Sequence, residues 1–189
     1  AQTERMAFRI WVCRRWSKLL GVHYDARAAA GTIANMARLG RIAPGALWQI
    51  ARLGANAWPT ASRFGRKDTP CDFCREAVQG GAGVRHMARC HAVRSGLLRA
   101  FRGIAGLWRG PGLLGNLVLA PPGLSTQDLT TRAAVAMVLY GAANRAKHSG
   151  GARVDPHALF AATARDVALC QPRLRHEIRR LWRETPAAT

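Results

Sequence analysis

The sequence predicts a mostly α fold: an irregular helical bundle with a small cysteine–histidine knuckle inserted mid-chain. Three observations predict it. Apolar residues recur at three- and four-residue steps through most of the chain, the period of a helix with one buried face. Capping residues and prolines stand where those stretches begin, at Asp25, Pro44, Ser125 and Asp155-Pro156. One glycine-rich segment carries three of the five cysteines, Cys71, Cys74 and Cys90, with Cys13 and Cys170 standing apart.

The first helix is expected over residues 4–20, with Met6, Ile10, Cys13, Trp16 and Leu20 on one face and Arg5, Arg9, Arg14, Arg15 and Lys18 over much of the rest. Asp25 is placed to cap a second helix that runs to Leu39 and ends at Gly40. Pro44 opens a third, running to Leu53 and stopping at Gly54. The near copies Met36-Ala-Arg-Leu-Gly40 and Ile50-Ala-Arg-Leu-Gly54 suggest two helices that end alike. Trp58-Pro59, Gly65 and the basic run Arg63, Arg66 and Lys67 read as a loop. Residues 87–108 read as helix, with Val93, Leu97, Leu98, Phe101, Ile104 and Leu107 as its apolar positions. Gly110-Pro111-Gly112 and Pro121-Pro122-Gly123 bracket a short apolar run, Leu117 to Leu119, that fits a strand or a buried connection. Ser125 and Asp128 form a capping box before a helix over 126–148, and Asp155-Pro156 opens another that Pro172 breaks. The last helix, over 173–184, sets Leu174, Ile178, Leu181 and Trp182 against Arg173, Arg175, Arg179, Arg180 and Arg183. Three regions follow: a basic helical one over 1–70, the knuckle with its following helix over 71–108, and a C-terminal helical one over 109–189.

Charge narrows the function. Among 189 residues, 29 Lys and Arg face 10 Asp and Glu, a net charge of +19. The excess is +9 in residues 1–70, +5 in 71–123 and +5 in 124–189, so it belongs to the body of the protein and not to a tail. A compact body with that charge repels itself unless a polyanion lies against it. Nucleic acid is the first expectation for that partner, and an anionic membrane surface the second. Apart from Lys18, Lys67 and Lys147 every basic residue is Arg, which binds phosphate bidentately and stacks on bases. A GC-rich coding sequence produces the same preference. No apolar run reaches the ~18–20 residues of a membrane span. The odd cysteine count with one tight cluster points away from a secreted disulfide framework and toward a reducing compartment, nuclear or cytoplasmic, with a mitochondrial site as the alternative. The chain starts without Met or a signal-peptide pattern, as a fragment or processed chain does.

The segment with chemistry reads Cys71-x2-Cys74-x11-His86-x3-Cys90. Zinc takes four borderline or soft ligands in a tetrahedron. A Cys-x2-Cys turn sets two thiolates on one side of the ion, and Gly80-Gly81-Ala82-Gly83 lets the chain reverse. His86 and Cys90, four apart, share a helix face. His91 is an alternative donor. The competing reading is free buried thiols and a surface histidine. Four protein ligands would close the site and leave no position for an activated water, so the zinc is expected to be structural.

The stretch from Ala55-Asn-Ala-Trp58 through Arg63-Phe64, the four ligands and Arg85-His86-Met-Ala-Arg-Cys90-His-Ala-Val-Arg94 resembles the region downstream of the polymerase in non-LTR retrotransposon reverse transcriptases. The Ala-rich stretch from Asp128 to His148, ending Asn144-Arg-Ala-Lys-His148, is similar too. The likeness spans roughly residues 45–150, and the knuckle is its specific part. It implies Cys71, Cys74, His86 and Cys90 as metal ligands and a role in gripping template RNA or target DNA. The paired aspartates of a polymerase are missing, and ten scattered acids give no two-metal nuclease site. The resemblance therefore implies at most the C-terminal part of such an enzyme.

Catalysis is not expected. Phosphate loop, dinucleotide fingerprint and serine elbow are all lacking. Cys13 and Cys170 sit within helical patterns as structural thiols, and His23, His148, His157 and His176 have no evident partner in the sequence. The expectation is a nucleic-acid-binding module that contacts phosphates through Arg63, Arg66, Lys67, Arg75, Arg85 and Arg89 near the knuckle, and through Arg173, Arg175, Arg179, Arg180 and Arg183. Trp58 and Phe73 are the candidates to stack a base. The alternative is a structural protein of a large ribonucleoprotein such as an organellar ribosome; a membrane-associated basic protein using residues 5–20 is the third reading.

Overall fold

The computed structural model describes residues 2–21, 23–55, 58, 69–78, 83–110, 112–118, 121–149 and 154–182. Among them are nine α-helices: α1 (Gln2–Leu20), α2 (Ala26–Ile42), α3 (Pro44–Gly54), α4 (Val84–Arg89), α5 (His91–Ala100), α6 (Gly112–Leu117), α7 (Thr126–Lys147), α8 (Pro156–Cys170) and α9 (Pro172–Leu181). A 3-10 turn covers Ala105–Trp108. The protein is mostly helical, and the one β feature among the described residues is an isolated bridge between Phe101 and Trp182.

The start signals act as their chemistry requires. Asp25 accepts the Ala28 amide, and Asp155 accepts those of His157 and Ala158. Ser125 and Asp128 close a reciprocal capping box. Pro44, Pro156 and Pro172 each occupy the first helical turn, where a missing N–H costs no bond.

The 22-residue α7 is the spine. It packs against α2, α3, α6, α8 and α9. Its Leu129, Ala133, Ala134, Val135, Ala136, Val138, Leu139, Ala142, Ala143 and Ala146 are all buried, so it is apolar nearly all round, as a helix enclosed by others is. Small residues bring the other helices close. A Cβ on Gly96 of α5 would lie 2.8 Å from Phe160 of α8, so only glycine permits that crossing.

Three sequence expectations need correction, and one pair of alternatives is decided. α2 runs through Gly40 to Ile42 and stops because Pro44 follows; Ala43 donates its amide to Leu39 O. The two near-copy segments therefore do not end alike. In α1 the buried residues are Val12, Trp16 and Leu19, whereas Met6 and Ile10 are exposed. The helix expected over 87–108 is three pieces, broken at Cys90 and again after Ala100. Of the two alternatives for Leu117–Leu119, strand and buried connection, the described residues fit the second: Leu117 ends α6, Val118 follows in a turn and both are buried, while Leu119 lies outside the described residues.

Two buried polar groups fix the C-terminal half. Asn116 of α6 donates through Nδ2 to the carbonyls of Leu107 (2.9 Å), Arg109 (3.1 Å) and Gly112 (3.0 Å), and Arg132 of α7 donates to its side-chain and backbone oxygens. Glu177 of α9 accepts from Thr131 and Gln127 of α7 and from Arg180. Burial pushes the Glu177 carboxyl up, but the bonds from Arg180, Thr131 and Gln127 outweigh it and hold the group below its ordinary value.

Candidate metal centre

The chain enters the knuckle from Thr69-Pro70 and turns tightly. Arg75 donates its amide to Cys71 O (2.9 Å), and Cys71 donates its own to Glu76 O (3.0 Å). Arg75 takes φ +63, the left-handed region that favours glycine. The turn lays Cys71 and Cys74 side by side. Most of the expected glycine reversal, residues 79–82, lies outside the described residues. Gly83 then caps α4, which carries His86, and Cys90 ends it. Cys90 has φ −60 and ψ 122, so it is at once the C-cap of α4 and the N-cap of α5.

The ligand atoms of Cys71, Cys74, His86 and Cys90 all lie within 4.8 Å of one another. Cys71 Sγ is 4.0 Å from Cys90 Sγ, and Cys74 Sγ is 3.4 Å from His86 Nε2. A tetrahedral ion with bonds of about 2.3 Å has ligand–ligand edges of about 3.8 Å, so the four side chains are close enough together to hold a metal ion. Cys71 and Cys90 are buried, and Cys74 and His86 are half-buried.

Backbone amides support the sulfurs. Phe73 N donates to Cys71 Sγ at 3.4 Å, and the Val93 amide donates to Cys90. The Cys71 and Cys90 sulfurs share a hydrogen bond, which together with burial pushes Cys71 up, while the same bond lowers Cys90. Burial raises Cys74. His91 is not part of the group; it is exposed, with Nδ1 3.6 Å from Glu76 Oε1.

Phe73 is not free to stack a base. It is buried and lies parallel to Phe160, with ring centroids 5.7 Å apart, tying the knuckle to α8. Trp58 is also core: it is fully buried, donates Nε1 to Gln49 O (2.9 Å) and meets Tyr140 edge-on. Both rings are drawn inward because each meets an aromatic partner there, Phe160 for Phe73 and Tyr140 for Trp58.

The expected arginines divide. Arg63, Arg66, Lys67 and Arg183 lie outside the described residues. Arg75, Arg85 and Arg89 are exposed around the knuckle, and Arg85 Nε donates to Leu19 O (3.0 Å). On α9, Arg173 donates to Arg41 O, Arg175 to Ala168 O and Arg180 to Glu177, while Arg179 is exposed. Sequence reasoning missed Arg94, which the fold brings beside Arg85 and Arg89. Its position in the first turn of α5 is visible only once Cys90 is seen to break the helix. No described helix is long and apolar enough to cross a membrane.

No protein-family model matches the chain, and neither a curated protein nor a solved structure matches it.

Proposed function

We propose that the protein is a nucleic-acid-binding module whose knuckle is closed by a structural zinc ion, and that it derives from a retroelement polyprotein. The carrying observation is the convergence of three thiols and one imidazole within 4.8 Å, inside a body of net charge +19. Three sulfurs and a nitrogen suit zinc better than hard cations, which take oxygen ligands. A full set of four leaves no position for water, so the ion's work is to hold α4, α5 and the Cys71 turn in one geometry. The arginine excess then serves the phosphate backbone, whose neutralisation releases counterions. The retroelement origin rests on the Cys-x2-Cys-x11-His-x3-Cys pattern and its flanking residues.

Two measurements test the reading. Elemental analysis of the purified chain is expected to give one zinc per chain, and cobalt substitution the absorption of a tetrahedral thiolate site. Fluorescence anisotropy with labelled oligonucleotides is expected to show binding that weakens steeply as salt rises. A metal content near zero overturns the zinc site, and failure to bind RNA or DNA at low salt overturns the nucleic-acid role. Co-sedimentation with ribosomes without binding to free oligonucleotides would move the protein to the ribonucleoprotein class.

A further inference from the structure

Along α4 and its cap, each candidate ligand follows an arginine: Arg85 precedes His86 within the helix, and Arg89, the last helical residue, precedes Cys90 at the C-cap. Adjacent helical residues stand about 100° apart round the axis, so anchoring His86 also sets the direction of Arg85, and anchoring Cys90 at the cap holds the end of the helix that carries Arg89. Arg94 lies one turn into α5, and its amide donates to Cys90 O at 3.0 Å. One ligand residue thus joins the helix that bears Arg85 and Arg89 to the helix that bears Arg94.

The three arginines line a single groove of about 480 Å³. Its other walls are the end of α1 (Leu19, Leu20 and Gly21), Trp108 and the start of α6. Among the described residues no carboxylate lines it. Neither Arg89 nor Arg94 forms an ion pair among the described residues, unlike Arg145 with Asp166 and Arg180 with Glu177. The bond from Arg85 Nε to Leu19 O holds that guanidinium on the wall. The exposed large apolar residues, Met6, Phe8, Ile10, Trp11, Trp48 and Leu169, all lie outside the groove lining, so the groove has no rim built to enter a bilayer. What it offers is concentrated positive charge in a concave slot, which suits a ligand with repeated anionic groups.

We propose that this groove seats the phosphodiester backbone of a nucleic-acid strand, with Arg85, Arg89 and Arg94 on neighbouring phosphates, and that the metal in the knuckle sets their alignment. The proposal rests on the nucleic-acid reading above and adds where the strand lies.

The test compares two double variants of the full chain by anisotropy against a fluorescein-labelled 20-nucleotide oligothymidylate over a range of salt. Arg89→Gln with Arg94→Gln removes two groove cations. Arg27→Gln with Arg165→Gln removes two exposed cations, one on α2 and one on α8, that neither line the groove nor belong to the expected phosphate contacts, and serves as the equal-charge control. The groove pair is expected to lower the slope of log K against log salt by about 1.4, at about 0.7 per single-strand phosphate contact, with the control pair moving it by less than half as much. Equal losses from both pairs, or a larger loss from the control, overturn the groove while leaving the nucleic-acid reading intact. No binding by the parent chain defeats that reading first. Phosphatidylserine vesicles form the second arm: a groove-pair loss on vesicles with none on the oligonucleotide also overturns the proposal. In chelator-stripped protein that keeps its helical circular dichroism, the groove pair is expected to have little further effect. An undiminished effect there overturns the metal's part in aligning the arginines.

Discussion

The knuckle and the α7–α8–α9 layer are neighbours held together by different physics. Around α7, order comes from apolar side chains enclosed on every side and from Glu177, whose bonds cross from α9 to α7. Around Cys71–Cys90 the regular structure among the described residues is one six-residue helix and a tight turn, and the convergence rests on four side chains. Six residues are too few to form a stable helix alone. One region is specified by many interchangeable contacts, and the other by a few that cannot be exchanged. They meet at Phe73 on Phe160 and where α5 crosses α8 at Gly96.

The strongest way to break the comparison is to challenge the knuckle with a chelator. Structural zinc contributes on the order of 10 kcal/mol in isolated finger peptides. With zinc in the knuckle, chelation is expected to expose the amides of residues 71–100 to hydrogen exchange while α7, α8 and α9 stay protected. Simultaneous loss of protection in both regions would show that they are a single cooperative unit. Next comes the joint between them. Phe160→Ala is expected to cost about 3–5 kcal/mol in denaturant unfolding and to weaken metal binding as well, since it removes the ring beneath Phe73. Unchanged metal affinity in that variant would mean the knuckle does not lean on α8.

A smaller effect belongs to the packed layer alone. Because the folded state holds the Glu177 carboxyl below its ordinary value, its contribution is present above the unfolded-state pKa of about 4.3 and is lost as pH falls through the lower folded value. Unfolding midpoints measured between neutral and strongly acidic pH should therefore fall more steeply for the parent chain than for Glu177→Gln. The smallest effect belongs to the knuckle alone. Arg75 holds φ +63, which costs a non-glycine residue about 1 kcal/mol. Arg75→Gly is expected to tighten metal binding about fivefold in a chelator competition, and Arg75→Ala is not.

Legibility in the sequence followed the same division. The knuckle ligands could be read because each is a distinct chemical type at a fixed spacing. The helix starts could be read because Asp25, Ser125 and Asp155 act on amides only two or three residues away. What could not be read depended on distant partners. Period alone fits more than one face of α1, and contact with α2 and α3 chose Val12, Trp16 and Leu19 over Met6 and Ile10. α7 gives no clear stripe because it is covered nearly all round. α6, at six residues with two glycines, is too short to show a period. Phe73 and Trp58 could have faced either way; only Phe160 and Tyr140 decide.

The Asn116 amide meets three carbonyl oxygens with its nitrogen and a guanidinium with its oxygen. This makes the position intolerant of a change that barely alters shape. Asn116→Asp would turn the donor into a second acceptor and set a negative oxygen against three others. Trp108, Gly110 and Gly112, on the far bank of the arginine groove, would then lose the bonds that anchor their stretch of chain through the replacement of a single NH2 group.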